Sequence, residues 1–168
     1  MIGRVKICIV SDSHDRADPL AGAVREAAAQ GAKAVIHCGD LIGTQTLRAA
    51  MAVGLPLHVI HGNNLGDPVS LSRWARDSSG QLQYHGPDAR LELGGRRIFV
   101  VHYPEYGHAM ACTGDWDLVC CGHSHAAGVD GPVRKGVTVK LDGQEAVVGD
   151  GSVVIAALTS CTNTSIPS

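Results

Sequence analysis

The chain has 168 residues, 45% of them hydrophobic and 18% charged, which suits one domain with a real core. Its 14 basic and 16 acidic residues leave a net charge of -2, which gives no support for a nucleic-acid surface or a polybasic membrane anchor, and 4% aromatics argue against a stacking platform for single strands. No stretch reaches the ~18 apolar residues of a membrane span, and residues 1–10 lack the long apolar region and cleavage site of a signal peptide, so a cytoplasmic location is expected. Six cysteines, at 8, 38, 112, 120, 121 and 161, fall mostly within apolar runs and never as Cys-x-x-Cys, which reads as small buried residues in a reducing compartment.

Residues 5–10 form an apolar run broken only by Lys6, a central strand buried on both faces, and it ends in Ser11-Asp12-Ser13-His14-Asp15. Asp18 as cap and Pro19 in the first turn open a helix that keeps apolar spacing through Leu20, Ala21, Val24, Ala27 and Ala28 and stops at Gly31. A second strand, 34–38, ends in Gly39-Asp40, and a helix is expected over 44–53, closed by Gly54 and Pro56. A third strand, 57–60, ends in His61-Gly62-Asn63-Asn64, and Asp67-Pro68 caps a helix to about Arg76. Strand and helix alternate three times, which predicts a parallel α/β sheet.

From Gln81 the rhythm changes. Strands are expected at 81–84, 90–93 and 96–102, the last two joined by the hairpin signal Gly94-Gly95. A short helix over 105–112 precedes a strand at 118–121, which runs into Gly122-His123-Ser124-His125. In extended backbone these two histidines would point to one side. Further strands at 137–141, 144–148 and 152–158 read as antiparallel. Two sheets in one domain, one with helices in its connections, is the simplest packing.

Asp12, His14, Asp40, Asn63, His102, His123 and His125 each lie at or just past the C-terminal end of an expected strand. In parallel sheets those ends share one edge, where sites form. Taken singly, Asp12 and Asp40 would pass for caps or turn residues, Asn63 for a turn residue, and the histidines for packed or surface residues. Together they make a set of carboxylate, imidazole and amide donors with no thiolate, suited to Mn, Fe, Zn or Mg. Seven donors are too many for one tetrahedral ion and suit two ions about 3.5–4 Å apart with a carboxylate between them.

The ordered set Asp12-Ser13-His14, Gly39-Asp40, Gly62-Asn63, His102 and Gly122-His123-Ser124-His125 resembles the signature of the calcineurin-like metallophosphoesterase superfamily, and its short spacing resembles the small bacterial and archaeal phosphodiesterases. The resemblance covers roughly residues 5–128. It implies an α/β fold, a two-sheet αββα sandwich, with Asp12, His14, Asp40 and His125 on one metal, Asp40 bridging, and Asn63, His102 and His123 completing the second. Manganese is the first expectation, with Ni, Fe, Zn or Mg as alternatives. The implied reaction is hydrolysis of a small phosphate ester, a diester first, by in-line attack of a metal-bridging hydroxide.

Many members continue Gly-Asn with His and an acidic residue, where this chain has Asn64 and Leu65. Asn64 can donate a hydrogen bond to phosphate but cannot deliver a proton at neutral pH, so esters with good leaving groups are expected. Asp40, Asn64 and His102 are thus the residues expected to act in catalysis. Tyr103 and His108 are candidates for lining the substrate pocket, and His37 and His61, beside ligand stretches, for supporting hydrogen bonds. His58 and His85 carry no usable signal.

Residues 137–168, above all 151–165, resemble a segment of aconitase, in which the cysteine matching Cys161 binds an iron–sulfur cluster. The further cysteines of that family are missing here, so no cluster is expected. The stretch suggests a fusion or truncation whose tail serves as strands of the second sheet within a single domain, 1–168. A phosphomonoesterase or nucleotide phosphatase on the same site is the alternative activity. A non-catalytic metal-binding scaffold, as in the retromer subunit of this fold, is the alternative class, although that reading predicts eroded ligands and all seven are present. No membrane partner is expected, and the oligomeric state is left open, a homo-oligomer included.

Overall fold

A computed structural model of the chain describes residues 5–130, 134–141, 144–150 and 152–156. Four parallel strands form the first sheet in the order β1 (Lys6–Val10), β2 (Ala32–His37), β3 (Leu57–Val59) and β4 (Leu82–Tyr84). Their crossovers are the helices α1 (Ala17–Ala29), α2 (Arg48–Met51) and α3 (Pro68–Asp77). The second sheet has the order β5 (Asp88–Leu93), β6 (Arg96–Val101), β7 (Leu118–Cys121), β11 (Ser152–Ile155) and β8 (Gly128–Asp130), with α4 (Pro104–Cys112) between β6 and β7. Strands β9 (Arg134–Leu141) and β10 (Gln144–Asp150) form an antiparallel ribbon of their own.

The layers follow from the alternation of apolar residues along each strand. In β2, Val35 packs on the helical side with Leu20, Val24 and Leu47, whereas Ile36 packs between the sheets with Ile60, Leu91, Ile98 and Val100. In β6, Ile98 and Val100 face that inner layer, and Phe99 and Val101 face the opposite way, toward Met110 and Ala111 of α4. Strands apolar on both faces must be covered on both faces. The result is helices, sheet, sheet, helix: the αββα sandwich implied by the sequence.

Several local expectations need correction. Asp18 sits in the first turn of α1, which starts at Ala17 with Arg16 at the cap position and no capping side chain; an acidic residue there still favours the positive end of the helix dipole. Asp67 does cap α3, accepting from the Ser70 N–H at 2.9 Å. The helix expected over 44–53 is a 3-10 turn, Thr44–Leu47, followed by four α-helical residues. The Asp15 carboxylate pins that turn, accepting from Gly43 N–H at 2.5 Å and from Thr46 Oγ1 at 3.0 Å. The tighter turn suits a segment held at its start by a side chain from another loop.

Strand β8 had no periodic signal, being three residues long. The stretch 152–158, read as antiparallel, instead runs parallel to β7 with Val153 opposite Val119, and antiparallel only to β8. After the β9–β10 ribbon the chain re-enters the sheet in the direction of β7, and Val153 and Val154 are buried there. Of the strands expected between 137 and 158, β11 therefore lies in the second sheet, while β9 and β10 stand apart from it. Residues 157–168, including Cys161 and the end of the aconitase-like stretch, lie outside the described residues. No helix among the described residues is long and apolar enough to cross a membrane. Cys112 is exposed, whereas Cys8, Cys38, Cys120 and Cys121 are buried, and burial pushes the thiols of these four up, to about 11 for Cys8 and about 12 for Cys121.

His58 in β3 and His85 just after β4 pair, with Nδ1 and Nε2 3.2 Å apart and the rings stacked at 5.4 Å. Burial, and then the neighbouring His85, lower His58 to about 4, and burial lowers His85. The unfolded chain takes up these protons near pH 6.5, before the folded one does. Stability is therefore full above pH 6.5 and is lost as the pH falls from 6.5 toward 4, by about 2–3 kcal/mol for His58. Denaturant midpoints across that window should fall with pH, and His58→Gln should flatten the slope.

Candidate active site

The C-terminal ends of β1, β2, β3, β6 and β7 deliver every candidate donor to one rim. Two loops carry the carboxylates and are laced together by their backbones. Asp12 N–H donates to Gly39 O at 2.9 Å, His14 N–H to Asp40 O at 3.1 Å, and Asp15 N–H to Leu41 O at 3.2 Å. The His123 N–H then donates to Asp12 Oδ2 at 3.0 Å, tying the β7 loop to the β1 loop. This lacing forces the backbone into the left-handed region at Asp12, His14, Asp15, Asp40, Ile42, His123 and His125, with φ from 40 to 71°. Asp and His tolerate that region better than most residues, whereas a β-branched Ile does not. Such strain persists only where surrounding contacts impose it, and it concentrates at functional sites.

All seven sequence-predicted donors come together. Asp12 and Asp40 form the floor, each 2% exposed, and His102 is buried beside them. His14 and His125 are half-buried, and Asn63 and His123 are exposed at the mouth. His14 Nε2 lies 3.4 Å from His125 Nε2, 3.9 Å from Asp12 Oδ1 and 3.8 Å from Asp40 Oδ2. His125 Nε2 lies 3.4 Å from Asp12 Oδ1, and His102 Nε2 lies 3.4 Å from Asp40 Oδ1. The Asn63 side-chain oxygen is 2.9 Å from both His102 Nε2 and His123 Nδ1.

The two histidines of the β7 loop do not point to one side, as extended backbone would have them. Both adopt positive φ, so they diverge: His123 turns to Asn63 and His102, and His125 to Asp12 and His14. Asn64, expected on phosphate, has its side-chain amide on Asp40 Oδ2 at 2.6 Å and its backbone N–H on Asp40 Oδ1 at 2.9 Å. An amide beside a buried carboxylate satisfies it by a charge-assisted bond.

Divalent cations fit this donor set. His102 Nδ1 is 2.8 Å from the Cys38 carbonyl, to which it can only donate, so in the neutral ring Nε2 presents a lone pair toward Asp40. A ring nitrogen fixed in this way is the usual arrangement behind a metal-facing histidine. Asp12 Oδ1 is buried without a hydrogen-bond partner among the described residues, although His125 and His14 are close. Ligand atoms of Asp12, His14 and His125, and of Asp12, Asp40 and His102, each lie within 4.8 Å of one another. Two buried carboxylates this close call for positive charge between them.

Supporting residues surround the floor. His37 is buried and lowered to about 4 by burial, with His102 next in effect, so it is neutral; it accepts from Gly39 N–H at Nδ1 and therefore donates from Nε2 to Ser13 Oγ at 2.9 Å. It thus joins the loops of both carboxylates, as its place beside the ligand stretch suggested. His61 Nδ1 meets the Tyr84 hydroxyl at 2.5 Å. Beside His102 a cavity of about 450 Å³ opens, bordered by His61, Gly62, Val101, Tyr103 and Tyr106. Of the two candidate pocket residues Tyr103 borders it and His108 does not, and Tyr106 borders it as well. Residues three apart share a helix face, and His108 is turned away from it. The clip made by Asp15 was also not foreseen; its position next to His14 was the available signal.

A two-sheet sandwich whose strand ends converge on buried carboxylates and imidazoles is a fold with a donor set that could hold divalent metal. The sequence model of the calcineurin-like phosphoesterase superfamily domain matches residues 5–160, and the chain belongs to that superfamily. It is a metal-dependent phosphoesterase, of a family that acts on small phosphate esters with divalent metal ions. It is 25% identical over 127 residues to phosphodiesterase MJ0936 of Methanocaldococcus jannaschii, across 72% of this chain and 74% of the relative. Among solved structures, an archaeal phosphodiesterase superposes with a TM-score of 0.65 at 20% identity, over 90% of this chain and 81% of that one. A single mutant of Vps29 from Entamoeba histolytica superposes at 0.54 and 15% identity, over 94% and 77%. At those identities the superpositions show the shared fold.

Gly122 is where the loops close on each other. A Cβ there would collide with Ser11 Oγ and stand 2.8 Å from Asp12 Oδ2. Gly122→Ala should therefore cost about 1–3 kcal/mol by overpacking and displace Asp12. Chemical denaturation should show the first effect and weakened divalent-metal binding by calorimetry the second.

Proposed function

We propose that the protein hydrolyses phosphodiesters with two divalent cations, one held by Asp12, His14, Asp40 and His125 and the other by Asp40, Asn63, His102 and His123. The observation that carries this reading is the position of Asp40. Its Oδ1 lies 3.4 Å from His102 and its Oδ2 3.8 Å from His14, so this carboxylate reaches toward both sets of histidines, beside Asp12, whose ligand atoms also fall in both clusters. Bridging carboxylates of this kind are how two-ion sites are held. The mixed oxygen and imidazole donors suit Mn, Ni, Fe, Zn or Mg, with manganese as the first expectation. Bound there, such ions supply an acidified water near neutral pH and positive charge against the phosphate oxygens.

The rest is the work of the chain's own residues. The Asn64 amide and backbone N–H hold both oxygens of Asp40 and set the plane of that carboxylate. The Cys38 carbonyl keeps the His102 proton on Nδ1 and so keeps Nε2 turned to the site. The His123 N–H fixes Asp12 Oδ2 and leaves Oδ1 facing His14 and His125. At position 64 the amide delivers no proton, so the leaving oxygen departs as an anion and the ester must carry a good leaving group. A diester reading is further supported by the phosphodiesterase among its relatives and by the cavity next to His102, which has room for a second ester arm.

Metal-stripped protein should regain turnover of bis(p-nitrophenyl) phosphate on addition of Mn, and diesters should outpace the matching monoester. Asp40→Asn should lose that turnover. A monoester preference would move the assignment to a phosphomonoesterase on the same site, and failure of every ester with metals bound would move it to a scaffold. Asn64→Ala frees the Asp40 carboxylate and should lower kcat about tenfold.

A further inference from the structure

The cavity beside the donor rim has a composition that the proposed chemistry does not use. Its wall is built from Phe99 and Val101 of β6, Pro87, and the two tyrosines Tyr103 and Tyr106 at the start of α4. It has about 450 Å³, within the range of about 300–1,000 Å³ typical of pockets that hold small organic ligands. The cavity is continuous with the donor rim, because Gly62 and His102 line both. Its only fixed charge among the described lining residues is the Asp88 carboxylate, paired with Arg90 at 3.2 Å. The Arg90 guanidinium that pairs with Asp88 also lies over the Phe99 ring, 5.6 Å from its centroid, so the wall's one carboxylate is balanced and its aromatic face already accepts a planar group.

The rings form a connected series. Tyr103 stands edge-on to His123 at 4.9 Å and to His102 at 5.2 Å, and Tyr106 stands edge-on to Tyr103 at 5.6 Å. Tyr103 is therefore oriented by two of the proposed ligands on one side and by Tyr106 on the other. Tyr106 itself is 63% exposed, a large aromatic that the core does not bury. Aromatic rings meeting edge to face leave partners for a further planar ring, which adds attraction beyond apolar area.

We propose that this cavity is the subsite for one ester arm of the substrate and that it selects a planar aromatic group, with Tyr103 and Tyr106 as its binding residues. The inference rests on the phosphoesterase reading of the rim and adds to it the substrate class: phosphate esters carrying an aryl or base-like arm. A saturated arm of similar size would fill the space without the ring contacts.

The test uses phenylphosphonate, cyclohexylphosphonate and methylphosphonate on the Mn-loaded full chain, as competitive inhibitors of bis(p-nitrophenyl) phosphate turnover and, separately, as ligands in calorimetry. Phenylphosphonate should bind about fivefold or more tightly than the other two. Tyr106→Ala should bring the phenyl-to-methyl ratio close to one, and Tyr106→Phe should keep it. Because Tyr106 is exposed, its replacement leaves the core intact. Equal binding of the three phosphonates by the wild type, or a phenyl preference that survives Tyr106→Ala, overturns the proposal. Turnover with no phenyl preference rejects the subsite and keeps the esterase; calorimetric phenyl preference without any turnover keeps the subsite and rejects the esterase.

Discussion

Two carboxylates, Asp12 and Asp40, are buried next to each other at the ends of adjacent parallel strands, and the surrounding structure is arranged around that electrostatic problem. Water reaches neither of them well, and their ion-pair partners among the described residues are histidines, His14, His102 and His125. Each Asp is then held by backbone N–H groups, from His123 on Asp12 and from Asn64 on Asp40. Such bonds satisfy single carboxylate oxygens, but they leave the two carboxylates facing each other. Cations between them would balance both. The left-handed backbone at seven non-glycine positions around the rim is the conformational cost of holding this geometry, and the lacing between Asp12–Asp15 and Gly39–Leu41 is what imposes it.

The layers beneath serve as a rigid mount. Val35 and Ile36 anchor β2 from opposite sides, and Phe99 and Val100 do the same for β6. Strands locked on both faces cannot slide without exposing apolar side chains, so Asp40 and His102 are placed by the core and not by loop packing alone. Gly122, pressed on Ser11 and Asp12, couples the second sheet to the first at the same rim. The stability of the fold and the geometry of the site therefore share contacts.

Much of this was legible in the amino-acid sequence for a simple reason. Buried parallel strands read as apolar runs, and the residues just after each run, Asp12, Asp40, Asn63, His102 and His123, are chemically conspicuous. Their convergence follows from strand direction, which alternating strands and helices imply. What escaped depends on backbone conformation or on distant contacts. The divergence of His123 and His125 comes from positive φ at both, which no periodicity encodes. The 3-10 turn after Gly43 depends on Asp15, 28 residues earlier. The parallel direction of β11 depends on how the β9–β10 ribbon returns the chain, and nothing in Val153-Val154-Ile155 distinguishes one direction from the other. The aromatic wall joins Pro87, Phe99 and Tyr106 from separate segments, so it exists only once they are folded together.

Metal stoichiometry tests the central claim most directly. Protein loaded with excess Mn and then freed of unbound metal should carry two equivalents per chain by inductively coupled plasma mass spectrometry, and Asp40→Asn should carry fewer, because one carboxylate serves both positions. One equivalent in the wild type, or two retained in Asp40→Asn, would contradict the shared-carboxylate account of this site.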